Sequence, residues 1–504
     1  MKKIFRNIFL AAALLGASSS CSLDEDPYGF LSKETFYQTP EDAESALTYS
    51  YAIMSQIEYY SRHYIIATEV PSESLTIKPD AGADQHALDR LNINNTNGIA
   101  EDMWRYPYIG INRANAVIEN VKDISGLSKT REAEIVAEAK FLRALHHFNL
   151  VRFFGDVVIR DVQVDSKSGV PKGLSPMSDV YTFIEEDLLA AEEVLSTDRN
   201  YGRGNKVATW ALLAKMYLHI ASSAHTGVEG YNWVTSSQEY YTKAATYAGK
   251  VLHEQSTYMF EDDLLNTWNV DARYDAKEHI FVSATDRSGL VEGEYSKLPI
   301  MFTPNAEGAS QIILPNGVTI RGGGFEHFWI EDSFRSTFES GDKRNEEMIF
   351  SSITVPASGD DEEDKELYYP GGGLMAAFPI KFLDPNQEGE QTSCDTPILR
   401  YTDIMMVYAE AVGATGEAYA IMDQIRSRAG LAPLPAGMSD DDFRTAILKE
   451  RSYELAFEGQ RLFDLRRTNS MESVLGGEHG KTLEKGVYYF EIPQTEIDSN
   501  PMIP

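Results

Sequence analysis

The chain has 504 residues and carries 77 Asp and Glu against 45 Lys and Arg, a formal charge of −32. That balance excludes nucleic acid as a partner, since such binding needs many Lys and Arg contacts to phosphate. The two cysteines, Cys21 and Cys394, exclude a disulfide framework once Cys21 is spoken for.

At the N-terminus, Lys2, Lys3 and Arg6 precede an apolar run from Ile8 to Gly16 and a stretch of small residues, Ala17 to Ser20, that ends at Cys21. This pattern predicts an export signal over residues 1–20. The run is too short to span a bilayer, and no later segment has the apolar length to do so. A Cys directly after small residues resembles a bacterial lipobox, in which the thiol carries a diacylglyceryl group, although Ser18 stands where Leu is usual. Ordinary cleavage near Ser20 with a free Cys is the other reading. Each buried methylene of an acyl chain stabilises attachment by about 0.8 kcal/mol, so two or three chains anchor a protein without a spanning element. Loss of Lys2, Lys3 and Arg6 with the signal would take the charge from −32 to −35.

Helical periodicity then dominates. It predicts helices over Ala43 to Gln56, Met103 to Lys122 (with Trp104 as a core residue) and Arg131 to Phe154. Ser178 to Leu195, Asn205 to Ala221 and Gln238 to His253 alternate Ala with large aromatics. Ala allows close approach between paired helices while Tyr or Phe fills the gap, the composition of degenerate tetratricopeptide-like repeats. The loop from Lys78 to Gly98 interrupts this series with polar side chains, among them Asp84, Gln85, His86, Arg90, Asn92 and Asn94.

Between residues 257 and 397 Gly and Pro become frequent, and short apolar runs such as His279 to Val282 and Ile312 to Leu314 replace helical spacing. Loops with short strands follow, the kind of insertion on which binding residues tend to lie. Trp268, Tyr274, Tyr295, Phe302, Arg321, Phe325, His327 and Trp329 fall here. Aromatic faces with nearby hydrogen-bonding groups suit the CH-rich faces and hydroxyls of sugars, though core packing explains each ring equally, and Trp268 better. Asp384 to Gly389 loosely resembles a calcium loop, but Pro385 and the lack of a preceding helix argue against an EF-hand, and no metal ligand set is assigned. No zinc-protease, nucleophile-elbow, phosphate-loop or dinucleotide motif is present, so no catalytic residue and no cofactor are expected. No activating base for Cys394 can be identified.

Residues 398–467 return to helix. Glu450, Glu454 and Glu458 recur every four residues and would share one helical face, an arrangement open to metal binding or acid–base work. Arg451, Arg461 and Arg467 are interleaved with them, and Leu455, Phe457, Leu462, Phe463 and Leu465 add an apolar stripe, so ion-paired core packing explains the same residues. Gly459 stands where a helix could stop.

Three ordered stretches carry a family resemblance: Arg400-Tyr401-Thr402-Asp403 running to Tyr408-Ala409-Glu410-Ala411, the block Lys449 to Arg467, and Phe490-Glu491-Ile492-Pro493 to Asn500-Pro501. With Leu31 to Ala43 at the other end, they resemble the SusD/RagB family of outer-membrane nutrient-binding lipoproteins. The resemblance implies a mainly α fold, a tetratricopeptide-like α/α superhelical scaffold with a loop-rich insertion containing short strands. It implies one domain over 21–504, with helices to about 256, the insertion over 257–397 and C-terminal helices and tail over 398–504. It further implies a lipid anchor at Cys21 on the extracellular side of the outer membrane, with Asp24-Glu25-Asp26 resembling a surface-export signal. The expected role is capture of an oligosaccharide, or a peptide, for a SusC-like TonB-dependent transporter. Glycan-binding members draw their site from loops at the two chain positions above, and Gly322 to Trp329 resembles a glycine–aromatic loop of the family. The first loop lacks Trp, Tyr and Phe, which argues against starch. A surface-anchored glycoside hydrolase and a periplasmic repeat adaptor are the rival readings.

Overall fold

The computed structural model describes residues 36–289, 294–306, 308–358, 363–481 and 488–503; Cys21 and the export signal lie outside them. The N-terminal part is a series of helices with sequence-encoded ends. Helix α1 (Pro40–Tyr51) starts at a capping box in which Thr39 and Asp42 satisfy each other's backbone N–H groups. Then come α2 (His63–Glu69), β1 (Leu75–Ile77), α3 (Ala83–Asp89), α4 (Gly98–Asn120) and α5 (Lys129–Phe154). The Asn97 side chain caps α4 by accepting from Ile99 and Ala100, and Ser128 caps α5.

Helices α6 (Met177–Val194), α7 (Lys206–Thr226) and α8 (Ser237–His253) continue the scaffold, and α4 packs on α5, α5 on α6 and α7 on α8. Ala244 and Ala248 of α8 are fully buried, as is Ala214 of α7, while Tyr217 and Tyr241 fill the neighbouring space. Small residues thus set the helix spacing and rings fill it, as the repeat composition predicts. Helix α7 ends where Gly227 takes a left-handed conformation (φ 75°), which glycine adopts without steric cost.

Among the described residues the insertion holds nine short strands: β2 (His279–Ser283), β3 (Gln311–Ile313), β4 (Thr319–Arg321), β5 (Phe328–Ile330), β6 (Ile349–Phe350), β7 (Ser352–Val355), β8 (Lys365–Tyr368), β9 (Phe378–Pro379) and β10 (Thr396–Arg400), the last running into the helices that follow. They form one four-stranded sheet, β4-β3-β7-β8, and three two-stranded pairs, β1-β5, β10-β2 and β6-β9. Ile312, Ile320, Ile353 and Phe378 give the four-stranded sheet a small core of its own. The chain closes with α9 (Tyr401–Val412), α10 (Gly416–Arg428), α11 (Asp440–Glu454), α12 (Arg461–Arg467) and α13 (Gln494–Ser499). This is the mainly α scaffold with a loop-rich insertion expected from the sequence.

Two expectations need correction. Residues 78–98 are not loop throughout, because 83–89 form α3; with Leu88 its only buried residue, its sequence carries no apolar stripe to announce it. Nor do Glu450, Glu454 and Glu458 share a helical face: α11 stops at Glu454, and Phe457 (φ 70°) and Gly459 (φ 76°) turn the chain before α12 begins.

The three carboxylates converge all the same, on a buried lattice of ions. Glu454, 2% exposed, accepts from Arg400 at 3.0 Å and Arg428 at 2.7 Å. Glu450 accepts from Arg344 and Arg426 at 2.6 and 2.7 Å, and Glu458 from Lys381 and Arg400 at 2.8 and 3.0 Å. Burial opposes ionisation of Glu454, but Arg428, Arg400 and Arg344 beside it prevail and hold its pKa down to about 2. Glu454 Oε2 has no hydrogen bond and faces Arg344 at 3.5 Å, so a carboxylate held ionised among fixed cations has no proton to give and repels a metal ion through those cations.

Candidate functional site

Strands β1 and β5 pair antiparallel, with Thr76 opposite Trp329 and Ile77 opposite Phe328. Antiparallel pairing places the exit of β1 beside the entrance of β5, so the segment 78–98 and the loop 322–327 emerge at the same end. The ladder continues past the strands, with Lys78 N donating to the His327 carbonyl at 3.1 Å. His327 then faces α3: its Nε2 lies 2.6 Å from Gln85 Oε1, an acceptor, which places the ring proton on Nε2. Burial pushes the His327 pKa down to about 4, with Lys78 and Arg62 adding to the shift, so the ring is neutral.

The glycine run explains how the second loop is held. A Cβ on Gly322 would sit 2.3 Å from the Ala309 carbonyl oxygen, and one on Gly324 would sit 2.0 Å from that of Thr303. Only glycine permits this approach. It lets the backbone of Gly324, Phe325, Glu326 and His327 donate to Pro304, Ile300, Thr303 and Met301. Glu326, at φ 44°, turns inward and accepts from Met375 N at 3.0 Å. Phe325 is left projecting, 40% exposed, on a backbone fixed at both sides. The loop tied to it by Glu326 adds exposed Met375, and Tyr368 is exposed at the start of that loop. Trp329 is half-buried, and its Nε1 donates to the Glu326 carbonyl at 3.0 Å.

The remaining polar candidates divide into anchored and unanchored groups. Asp84 is a strut: its Oδ2 accepts from Gly98 N at 3.0 Å and its carbonyl from Asn97 Nδ2, tying α3 to the start of α4. His86 Nε2 meets the Pro79 carbonyl at 3.2 Å, and Asn94 Oδ1 closes a local turn with Thr96. Arg90, Asn92 and Arg321 are exposed, and their side chains make no hydrogen bond among the described residues.

Other candidates lie elsewhere. Phe302 is fully buried between Phe328 and Phe382 and has no face to offer a ligand. Trp268 packs edge-on against His279 and Phe382, with Lys381 and Arg400 over its ring. Tyr274, 54% exposed, packs on Tyr201 and carries Arg273 over its ring, while Tyr295 is half-buried in the chain leading to 298–302. Among the described residues no hydrogen bond, ion pair or ring contact links Trp268, Tyr274 or Tyr295 to the junction of the two loops.

Charged groups missed in the sequence surround His327. Arg62 and His63 act on its titration. They are themselves held, Arg62 by Glu58 at 3.4 Å and His63 by Asp102 at 2.7 Å. The only signal for them is the mixture of charge and aromatics from Glu58 to Tyr64, which helical periodicity does not single out.

A separate groove of 1210 Å³ runs along the outer face of α4. Tyr37, Tyr49, Trp104, Tyr108, Asn112 and Arg113 contribute to its lining, and it shares no lining residue with the loop junction. Trp104 is 4% exposed and packs edge-on against Phe154, a core residue as expected, whereas Tyr49 is 59% exposed with the Arg113 guanidinium 3.6 Å from its ring centre. Elsewhere, Cys394 is buried, and burial pushes its thiol well above the usual range. The Asp384 carboxylate is engaged by Arg287 Nη1, Asn386 N and Ser393 N. Among the described residues no helix is long and apolar enough to cross a membrane.

Comparison with known proteins gives the same answer from both ends of the chain. Residues 23–218 match a family described as "Starch-binding associating with outer membrane", and residues 230–503 match the family described as "SusD family". A SusD-like protein of Formosa agariphila is 24% identical, over 93% of this chain and 91% of its own. The starch-binding protein SusD of Bacteroides thetaiotaomicron is 23% identical, over 79% and 76% respectively. A solved laminarin-binding SusD-like protein superposes with a TM-score of 0.74 at 25% identity, covering 93% of this chain and 99% of that one. The last two are named as binding proteins, not as enzymes. With the match over residues 230–503 spanning more than half its length, the chain belongs to the SusD family.

Proposed function

We propose that residues 21–504 act as one lipid-anchored unit on the extracellular side of the outer membrane, capturing an oligosaccharide at the junction of the two loops. The captured ligand would pass to a SusC-like TonB-dependent transporter. The observation that carries the binding reading is the β1–β5 pairing, which sets His327 against Gln85 and brings the loop carrying Phe325 to the same end as the segment 78–98. A projecting ring on a fixed backbone stacks on the CH-rich face of a sugar with little ordering cost, and the unengaged Arg90 and Asn92 on the segment 78–98 would supply hydrogen bonds to its hydroxyls. Capture is noncovalent. Membership of the SusD family, and the outer-membrane association of the family matched over residues 23–218, support the anchor and the transporter.

A glycan array that includes laminarin and starch oligosaccharides tests the reading. Retention of intact ligand, weakened about tenfold by Phe325→Ala, is the expected result; a tenfold change corresponds to ~1.4 kcal/mol. Release of shortened glycans would favour the hydrolase, and a peptide retained in place of glycans would change the nutrient. The α4 groove is a second place for an oligomer, favoured by its volume and its exposed Tyr49. Loss of affinity on Tyr49→Ala, with Phe325→Ala silent, would move the site there.

A further inference from the structure

A small cavity of 20 Å³ lies inside the scaffold where α5, α7, α11 and α12 meet. That volume admits one particle about the size of a water molecule. Four cations line it: Arg152 from α5, Lys215 from α7, Arg451 from α11 and Arg467 from α12. Their side chains are buried, none more than 9% exposed.

The carboxylates nearby do not balance these charges. Asp403 pairs with Lys215 and Arg451, Asp464 with Arg451 and Arg467, and Glu410 with Arg467. Arg152 has no carboxylate partner among the described residues; it is sandwiched between the Phe148 and Phe463 rings, at 4.0 and 3.9 Å, and donates to neutral acceptors. Arg466, also buried, donates to the Arg152 carbonyl and leaves its Nε and Nη2 without partners. The four cations of the lining therefore stand against three carboxylates, and Arg466, outside the lining, is a further buried cation. His219, which also lines the cavity, is held neutral by burial and then by Arg152 and Arg467, consistent with a positive interior.

Donor and acceptor supply points the same way. Both oxygens of Asp464 and of Asp403 are engaged, and Gln460 Oε1 accepts from Lys215. Arg152 Nη1, Arg451 Nη2, the third ammonium proton of Lys215 and the His219 ring make no hydrogen bond among the described residues. Each of these oxygens accepts one bond and the neutral His219 ring offers one acceptor nitrogen, so free donors outnumber free acceptor groups around the cavity, and a monatomic anion, which only accepts, uses those donors. An uncompensated buried charge is costly, and an anion here offsets it. We propose that this cavity is a structural halide site, occupied by chloride, that clamps α5, α7, α11 and α12 together.

The site is independent of the ligand junction, so its test does not depend on glycan binding. Crystals of the whole protein grown in sodium bromide should give one anomalous peak among Arg152, Lys215, Arg451 and Arg467. In solution at constant ionic strength, replacing sodium gluconate by sodium chloride should raise the melting temperature and saturate, as a ligand of the folded state alone requires. Lys215→Met should abolish that saturable rise. An anomalous map with no peak in the cavity would overturn the proposal, as would a salt response equal in wild type and variant. Should Lys215→Met not fold, the bromide map on the unaltered protein decides alone.

Discussion

The lattice around Glu454 and the junction around His327 are both built by residues far apart in sequence, yet they differ in what they leave unsatisfied. In the lattice every carboxylate meets a cation and is buried; Glu454 alone meets Arg400 and Arg428 by hydrogen bond, with Arg344 3.5 Å away. At the junction the backbone is saturated while side chains are left over: Phe325 projects, and Arg90 and Asn92 lack partners among the described residues. A dense cluster of charge is therefore scaffold, and a rigid loop with spare groups is the better candidate for recognition.

The largest expected effect breaks the lattice. Glu454→Ala removes the carboxylate that Arg400, Arg428 and Arg344 share, leaving them only Glu278, Glu458, Glu450 and Asp342 in the interior, and should cost ~3–5 kcal/mol, read as a lower urea midpoint, with ligand affinity retained by whatever fraction folds. Next comes acid. Burial holds His146 and His147 down to about 3 and His279 and His327 to about 4, so the unfolded chain takes up these protons first. Stability should fall as pH drops from about 6.5 toward these values. Glu454, depressed to about 2, contributes stability present above the ordinary carboxylate value near 4.3. That share should be lost only as pH falls from there toward 2, giving a second stage in the pH dependence of the denaturation midpoint.

Smaller effects should be confined to the junction. Gly324→Ala forces a Cβ to within 2.0 Å of the Thr303 carbonyl oxygen and should displace the loop. Glycan affinity should then drop by about tenfold or more, ~1.4 kcal/mol, with the scaffold's circular dichroism unchanged. Phe325→Ala should lower affinity about tenfold while moving stability by no more than ~0.5 kcal/mol, because the ring is exposed. The smallest effect expected is that of Tyr49→Ala in the α4 groove, which should leave glycan affinity unaltered in isothermal titration.

Much of the scaffold is written locally. The helices predicted from Arg131, Ser178 and Gln238 fall within two residues of α5, α6 and α8, because alternating Ala and aromatics encode a buried face directly. What escaped is non-local. Helix α3 buries only Leu88, and the break after Glu454 depends on a left-handed Phe457 that no propensity rule announces. At the site the two chain regions were legible, through the polar run from Asp84 to Asn94 and the Gly322–Gly324 loop, but their meeting depends on the β1–β5 register. Phe302 and Phe325 look alike in sequence; one is core and the other projects because only the second follows a glycine run pressed against backbone.

Hydrogen–deuterium exchange with and without a glycan retained on the array tests the central claim most directly. Protection by ligand over residues 78–98 and 322–329, with the α4 groove and the Glu454 lattice unchanged, is the result predicted. Protection confined to α1 and α4, with both loops exchanging as in the free protein, would contradict it.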